Sequence, residues 1–188
     1  MRCVPVVLVL AAAVAGCSGG GGQPTVSGVA PAPPVTAHGD PIPPVRAPKN
    51  LAGTPPCALL TPAQLARNHI DVPGQTKDVL GAPGCQWGNK AHSREIRVFK
   101  DIGTDDLHNV YAQRATFAVF EITDVAGYPA IRTKDNVDGT TCFFRVATAQ
   151  TQTLNLTFTS LRQGLEEPCG PARELAEAVL ANLPPLKG

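Results

Sequence analysis

Leu154-Asn155-Leu156-Thr157-Phe158-Thr159 is the cleanest alternation in the chain, three apolar side chains to one side and three polar to the other. A two-residue period of this kind predicts a half-buried strand. Arg94 to Ile102 alternates in the same way, with Ile96, Val98 and Ile102 on one face and Arg97 and Asp101 on the other. Cys85-Gln86-Trp87 starts a further strand after a turn-rich stretch from Val72 to Gly84, broken by Pro73-Gly74 and Pro83-Gly84. Phe120 to Val125 is another strand, ended by Gly127. Asp138-Gly139 is a hairpin signal between Ile131 and a strand that carries Cys142, Phe144 and Val146 on one face.

Three segments have helical signals instead. Thr61-Pro62-Ala63-Gln64 predicts a helix start, with Thr61 as N-cap, Pro62 at the first position and Gln64 completing a capping box. Leu60 and Leu65 then occupy the staple positions, and the helix is expected to run to about His69. Thr104-Asp105-Asp106 caps a second helix and places acid at its positive end, followed by Leu107, Val110, Tyr111 and Ala115 at helical spacing. The last begins at Pro168-Cys169-Gly170-Pro171, carries Leu175, Val179 and Leu183 as its stripe, and stops at Pro184-Pro185. Strands with one polar face belong to antiparallel sheets that meet water on one side. The expected fold is therefore α+β, a twisted antiparallel sheet with helices packed on one face.

The N-terminal pattern differs in kind. Met1-Arg2 is followed by an apolar run from Val4 to Ala15, and Val14-Ala15-Gly16-Cys17 closes it. A short basic start and a dozen apolar residues ending in small ones read as an export signal over residues 1–16. The run is too short for a spanning helix, which needs about 20 residues. Small residues directly before cysteine match a lipobox, which makes Cys17 the expected site of lipid attachment, with a plain cleaved signal as the competing reading. Two acyl chains give stable membrane attachment where one is marginal. Residues 17–55, rich in glycine and then in proline, are expected to be a disordered tether, with His38 solvated in it. Residues 56–188 are left as one globular extracytoplasmic domain, about 130 residues long and enough for one core.

Charge narrows the partners. The chain has 16 Lys and Arg against 15 Asp and Glu, and without Arg2 the two counts are equal. A neutral chain lacks the clustered positive face that nucleic acid requires, so no nucleic-acid partner is expected. Cys57, Cys85, Cys142 and Cys169 remain after the signal and Cys17 are set aside, an even number in an exported chain, which implies two disulfides. Their spacings of 28, 57 and 27 residues contain no C-x-x-C pair of the kind zinc sites use, so no metal is expected. Of the three possible pairings, Cys57–Cys85 with Cys142–Cys169 is favoured because each then staples one local unit.

Pro56-Cys57-Ala58-Leu59-Leu60-Thr61, Gly84-Cys85-Gln86-Trp87, Val125-Ala126-Gly127-Tyr128-Pro129-Ala130, Cys142 in a strand and Pro168-Cys169-Gly170-Pro171-Ala172-Arg173-Glu174-Leu175 occur in that order. With the lipobox before them, they resemble an actinobacterial lipoprotein family of unknown function, found in mycobacteria and nocardiae, that includes some Lpr-type lipoproteins. The likeness covers most of residues 56–183. It implies attachment through Cys17 on the outer face of the cell membrane and no particular chemistry.

Candidate chemistry is sparse. No G-x-S-x-G elbow occurs, and Ser93 beside His92 lies in a polar, loop-like stretch. His69, His92 and His108 read as surface or helix-end histidines. The pair Asp105-Asp106 is explained by helix capping, and Glu166-Glu167 by a solvated turn. Lys134 to Gly139 superficially suggests a calcium loop, but Lys134 and Arg145 would fall at ligand positions one and twelve. Trp87, Phe143 and Phe144 read as core packing rather than a ligand pocket. No catalytic residue and no cofactor are expected. The expected function is a non-catalytic binding module for an envelope component or apolar small molecule, with an envelope lipid, glycan or protein as partner. The alternative is an interaction or scaffold subunit assisting a membrane enzyme or transporter. A hydrolase would require His92 or His108 within hydrogen-bond reach of a hydroxyl or carboxylate in a cleft.

Replacing Cys17 by Ala should move the protein from the membrane to the soluble fraction of lysed cells. Continued membrane retention of Cys17→Ala would refute the anchor.

Overall fold

In the computed structural model the described residues are 40–161 and 166–187. The expected export signal, the expected lipid-attachment residue Cys17 and the expected tether as far as residue 39 lie outside them. The order of elements is α1 (Pro62–Arg67), β1 (Gln75–Val79), β2 (Ala82–Asn89), β3 (Arg94–Ile102), α2 (Asp106–Ala112), β4 (Val119–Val125), β5 (Tyr128–Lys134), β6 (Thr141–Ala149), β7 (Gln152–Ser160) and α3 (Cys169–Asn182). The strands form one seven-stranded sheet in the order β1-β2-β3-β7-β6-β5-β4, every neighbouring pair antiparallel. Two meanders, β1–β3 and β4–β7, are thus joined edge to edge where β3 pairs with β7.

Alternation decides which face is buried. Cys85, Trp87, Ile96, Val98, Phe144, Val146, Leu154, Leu156 and Phe158 fall on one face and belong to a single buried cluster with Leu65 of α1 and Leu175, Val179 and Leu180 of α3. The opposite face carries Arg97, Phe143, Arg145, Asn155 and Thr157, cross-strand neighbours that are half-buried or exposed. The α+β sheet with helices is as the sequence pattern requires, and α1 and α3 share one face. The shorter α2 crosses the other face, because it carries the chain from β3 in the middle of the sheet to β4 at its edge. Its Leu107 and Val110 form a second cluster with Ile131 and Ile42.

Both disulfides are those favoured from the spacing. Cys57–Cys85 closes a loop with sequence separation 28, and Cys142–Cys169 one of 27. Loops of this length contribute on the order of 3–4 kcal/mol each in the chain-entropy account. The Thr61 capping box is present in both directions, with the Gln64 amide donating to the Thr61 hydroxyl and Gln64 Oε1 accepting from the Thr61 amide at 2.8 Å.

The structure differs from the sequence pattern at four places. First, the turn-rich stretch before Gly84 contains β1 and the start of β2. Their hairpin turns at Leu80 (φ 53°) and Gly81 (φ 86°), two left-handed residues that match the twist of a two-residue turn. β1 is a polar edge strand, so no apolar alternation announces it. Gly84 sits in β2 because a Cβ there would lie 2.3 Å from the Phe99 ring. Second, Lys100 shares the apolar face with Ile96 and Val98, while Ile102 at the strand end is 43% exposed. Third, Glu166-Glu167 is not a solvated turn. Glu166 meets Arg94 at 2.6 Å, and Glu167 Oε2 accepts from the Cys169 and Gly170 amides at the start of α3.

The fourth difference is the domain boundary. Residues 40–55, expected in the tether, pack against the domain. Leu51 is fully buried and Ile42 nearly so. The Lys49 amide donates to Thr148 O at 2.8 Å, and the Asn50 amide to Pro184 O at 2.8 Å. Lys49 Nζ donates to Leu180 O and Leu183 O at the end of α3. Gln152 Oε1 accepts from the Leu51 and Ala52 amides, both at 2.9 Å. Lys100 Nζ donates to Ala52 O at 3.0 Å and Thr54 O at 2.8 Å, and burial lowers its pKa. This strap is proline-rich but carries Ile42, Val45 and Leu51 as anchors, and proline reduces the entropy lost in fixing it.

Lys100→Met should lower the unfolding free energy by about 1–3 kcal/mol, because two strap carbonyls lose their buried donor. Urea unfolding measures this, with the exposed Lys90→Met expected within about 0.5 kcal/mol of the parent. Equal effects from the two substitutions would show that Lys100 does not hold the strap.

Candidate functional site

The strap forms one wall of a cleft of about 870 Å³. Ile42, Pro43, Pro44, Val45 and Pro48 supply that wall. Leu107 at the start of α2 faces them, Ala147, Ala149 and Thr153 make the floor, and Leu186 closes one end. Small side chains on the floor are what leave the space open. A β-bulge between Ala147 and Ala149 interrupts the β6–β7 register there, the kind of irregularity that re-aims side chains at a sheet end. The strap is pinned over this floor. Tyr128 donates its hydroxyl to Ala47 O at 2.7 Å, and the Leu186 amide donates to Pro48 O at 2.9 Å. The volume falls within the roughly 300–1,000 Å³ of small-molecule sites, and an apolar lining with a few converging polar groups is their usual make-up.

The polar corner is built around His108. Asp105 is the N-cap of α2, its Oδ1 accepting from the His108 amide. The same oxygen lies 2.8 Å from His108 Nδ1, while Nε2 lies 2.8 Å and 3.0 Å from the two oxygens of Asp40 on the strap. With a carboxylate on each ring nitrogen, the doubly protonated imidazolium satisfies both contacts. Hydrogen bonds to Asp105 and then Asp40 accordingly raise the His108 pKa above 6.5. Asp40 Oδ1 also accepts from the Ile42 amide at 2.9 Å, and this bond, followed by that to His108, lowers the Asp40 pKa. The three residues tie the start of the strap to α2, and Ile42 is buried beside Leu107, Val110 and Ile131.

Next to the cleft, Asp106 approaches Arg145 Nε at 3.6 Å, and Asn155 is the cross-strand neighbour of Arg145. Burial raises the Asp106 pKa against the opposing pull of Arg145. Asp106 Oδ2, Arg145 Nη1 and Asn155 Oδ1 are buried without a hydrogen-bond partner.

The other residues singled out from the sequence are distributed differently. His108 meets the geometric half of the hydrolase requirement, a carboxylate partner in a cleft. With both nitrogens held by carboxylates, however, the ring presents no lone pair to activate a hydroxyl. His69 and His92 stack on each other with centroids 4.6 Å apart, and neither is among the residues lining the cleft. Trp87 and Phe144 are core residues, and Phe143 is half-buried on the opposite face. Among the described residues, no group of three or more histidine, cysteine or carboxylate side chains is placed to hold a metal. No helix among them is long and apolar enough to cross a membrane. The sequence pattern misses the strap side of the cleft, because proline-rich composition assigns Asp40 and Ile42 to the tether. Large apolar residues recurring at 42, 45 and 51 within a proline-rich stretch were the available signal.

A family model described as protein of unknown function (DUF3558) matches residues 12–182. No curated protein and no solved structure matches the chain.

Because the folded state raises the His108 pKa, the stability it lends is complete below about pH 6.5. It is lost as pH rises through the raised value. Urea unfolding across pH 6 to 9 should show this decline in the parent and a flatter profile in His108→Gln. Parallel profiles would show that His108 does not tie the strap.

Proposed function

The chain belongs to the DUF3558 family of proteins of unknown function, and from that premise we propose that it is a lipid-anchored extracytoplasmic binding module. Its folded head would take an apolar small molecule or an apolar part of an envelope component into the strap cleft. The cleft itself is the observation that carries this reading, with about 870 Å³ lined by Ile42, Pro43, Pro44, Val45, Leu107 and Leu186. The lipobox pattern ending at Cys17 supports attachment to the outer side of a cell membrane, as in the actinobacterial lipoproteins whose cysteine order the chain resembles. Two disulfides support an oxidising compartment. Asp40, which lines the cleft, stands about two dozen residues after Cys17 in the sequence. That arrangement suits a ligand met at or near the bilayer.

Protein extracted from its native envelope and examined by native mass spectrometry should retain a bound apolar molecule. Ala147→Trp, which fills the floor of the cleft, should lose that added mass while keeping the fold by circular dichroism. A parent protein of bare polypeptide-plus-anchor mass, or a bound molecule that survives Ala147→Trp, would overturn the assignment.

A further inference from the structure

We propose that the cleft selects a cationic amphiphile, an aliphatic chain ending in a protonated amine, over neutral and anionic amphiphiles of the same length. The inference rests on the ligand-binding reading above and concerns which polar end the cleft accepts. The apolar walls take the chain. The polar corner then sets the charge, and its ionisable groups are Asp40 from the strap with Asp105 and His108 from the start of α2. The remaining polar lining, Gln150 and Thr153, is neutral. Two carboxylates around one imidazolium leave a net negative corner even with His108 protonated, and a more negative one after it deprotonates. Both carboxylates are more than half exposed, at 59% and 57% of the side chain, so they are open to a head group as well as to His108. The nearest basic side chains in sequence do not offset them. Arg46, Arg145 and Lys187 are not among the lining residues, Arg145 is paired with Asp106, and Lys49 is committed to the carbonyls of Leu180 and Leu183.

An ammonium group at this corner replaces part of its hydration with charge-assisted bonds to Asp40 and Asp105. A carboxylate or phosphate at the same place meets like charge on both sides. The cleft stays partly open to water, which limits the discrimination to about tenfold between cation and anion.

The test is calorimetric titration of the exported chain carrying Cys17→Ala, free of detergent, with octylamine, octanol and octanoate. At pH 7 octylamine should bind about tenfold tighter than octanoate, with octanol between them. His108→Gln, which removes the imidazolium charge and leaves both carboxylates in place, should widen the gap at pH 7. Asp105→Asn, which leaves the Asp40–His108 contact in place, should narrow the ratio, and Asp40→Asn with Asp105→Asn should bring it to within about twofold. Equal binding of the three probes, or tighter binding of octanoate, would overturn the cationic preference and leave the ligand-binding reading intact. Failure of all three to bind would overturn both.

Discussion

The pairing of β3 with β7 is the constraint from which the rest of this structure follows. It runs without interruption from Arg94↔Ser160 to Ile102↔Gln152 and makes one sheet of two separate meanders. Once Ile96 and Val98 sit beside Phe158 and Leu156, the apolar face of both meanders is a single surface that α1 and α3 must cover. A slip of one residue would turn Arg97 and Asn155 toward that core. The same pairing places β3 in the middle and β4 at the edge, so the chain between them has to cross the polar face. That crossing is α2, and it brings Asp105, Leu107 and His108 over the end of β6 and β7.

The cleft is a consequence of this arrangement together with the strap. The sheet end offers a floor of Ala147 and Ala149 beside α2, and a floor of small residues needs a roof. Residues 40–48 supply it, held at one end by Asp40 on His108 and at the other by the bonds of Lys49, Leu51 and Ala52. The strap connects both faces of the sheet. Ile42 enters the small cluster under α2, and Leu51 enters the main core. Binding of the proposed kind would therefore be coupled to stability through one segment.

Much of the fold was legible in the sequence. β3, β6 and β7 alternate openly, and both long-range cross-links follow from placing each cysteine pair within one local unit. Capping residues mark the starts of α1 and α2, and Pro168-Cys169-Gly170-Pro171 that of α3. What escaped was held by tertiary context. β1 is polar because it is an edge, so its existence depends on β2 rather than on its own pattern. Lys100 occupies an apolar position because the strap carbonyls of Ala52 and Thr54 arrive there to receive it. The strap was the largest miss, since proline-rich composition reads as tether unless its few apolar anchors are given a surface to meet. Half of the candidate site was hidden for that reason. His108 and Asp105 are legible in sequence only in surface and capping roles, because Asp40 stands 68 residues away.

Methyl NMR decides whether the space beneath the strap takes a ligand as proposed, with an apolar probe added to protein labelled at isoleucine, leucine, valine and alanine methyls. Shifts are expected at Ile42, Leu107, Ala147 and Ala149, while Val98 and Leu156 on the covered face stay fixed. Shifts confined to methyls away from the strap, or none at saturating probe, would contradict the proposal.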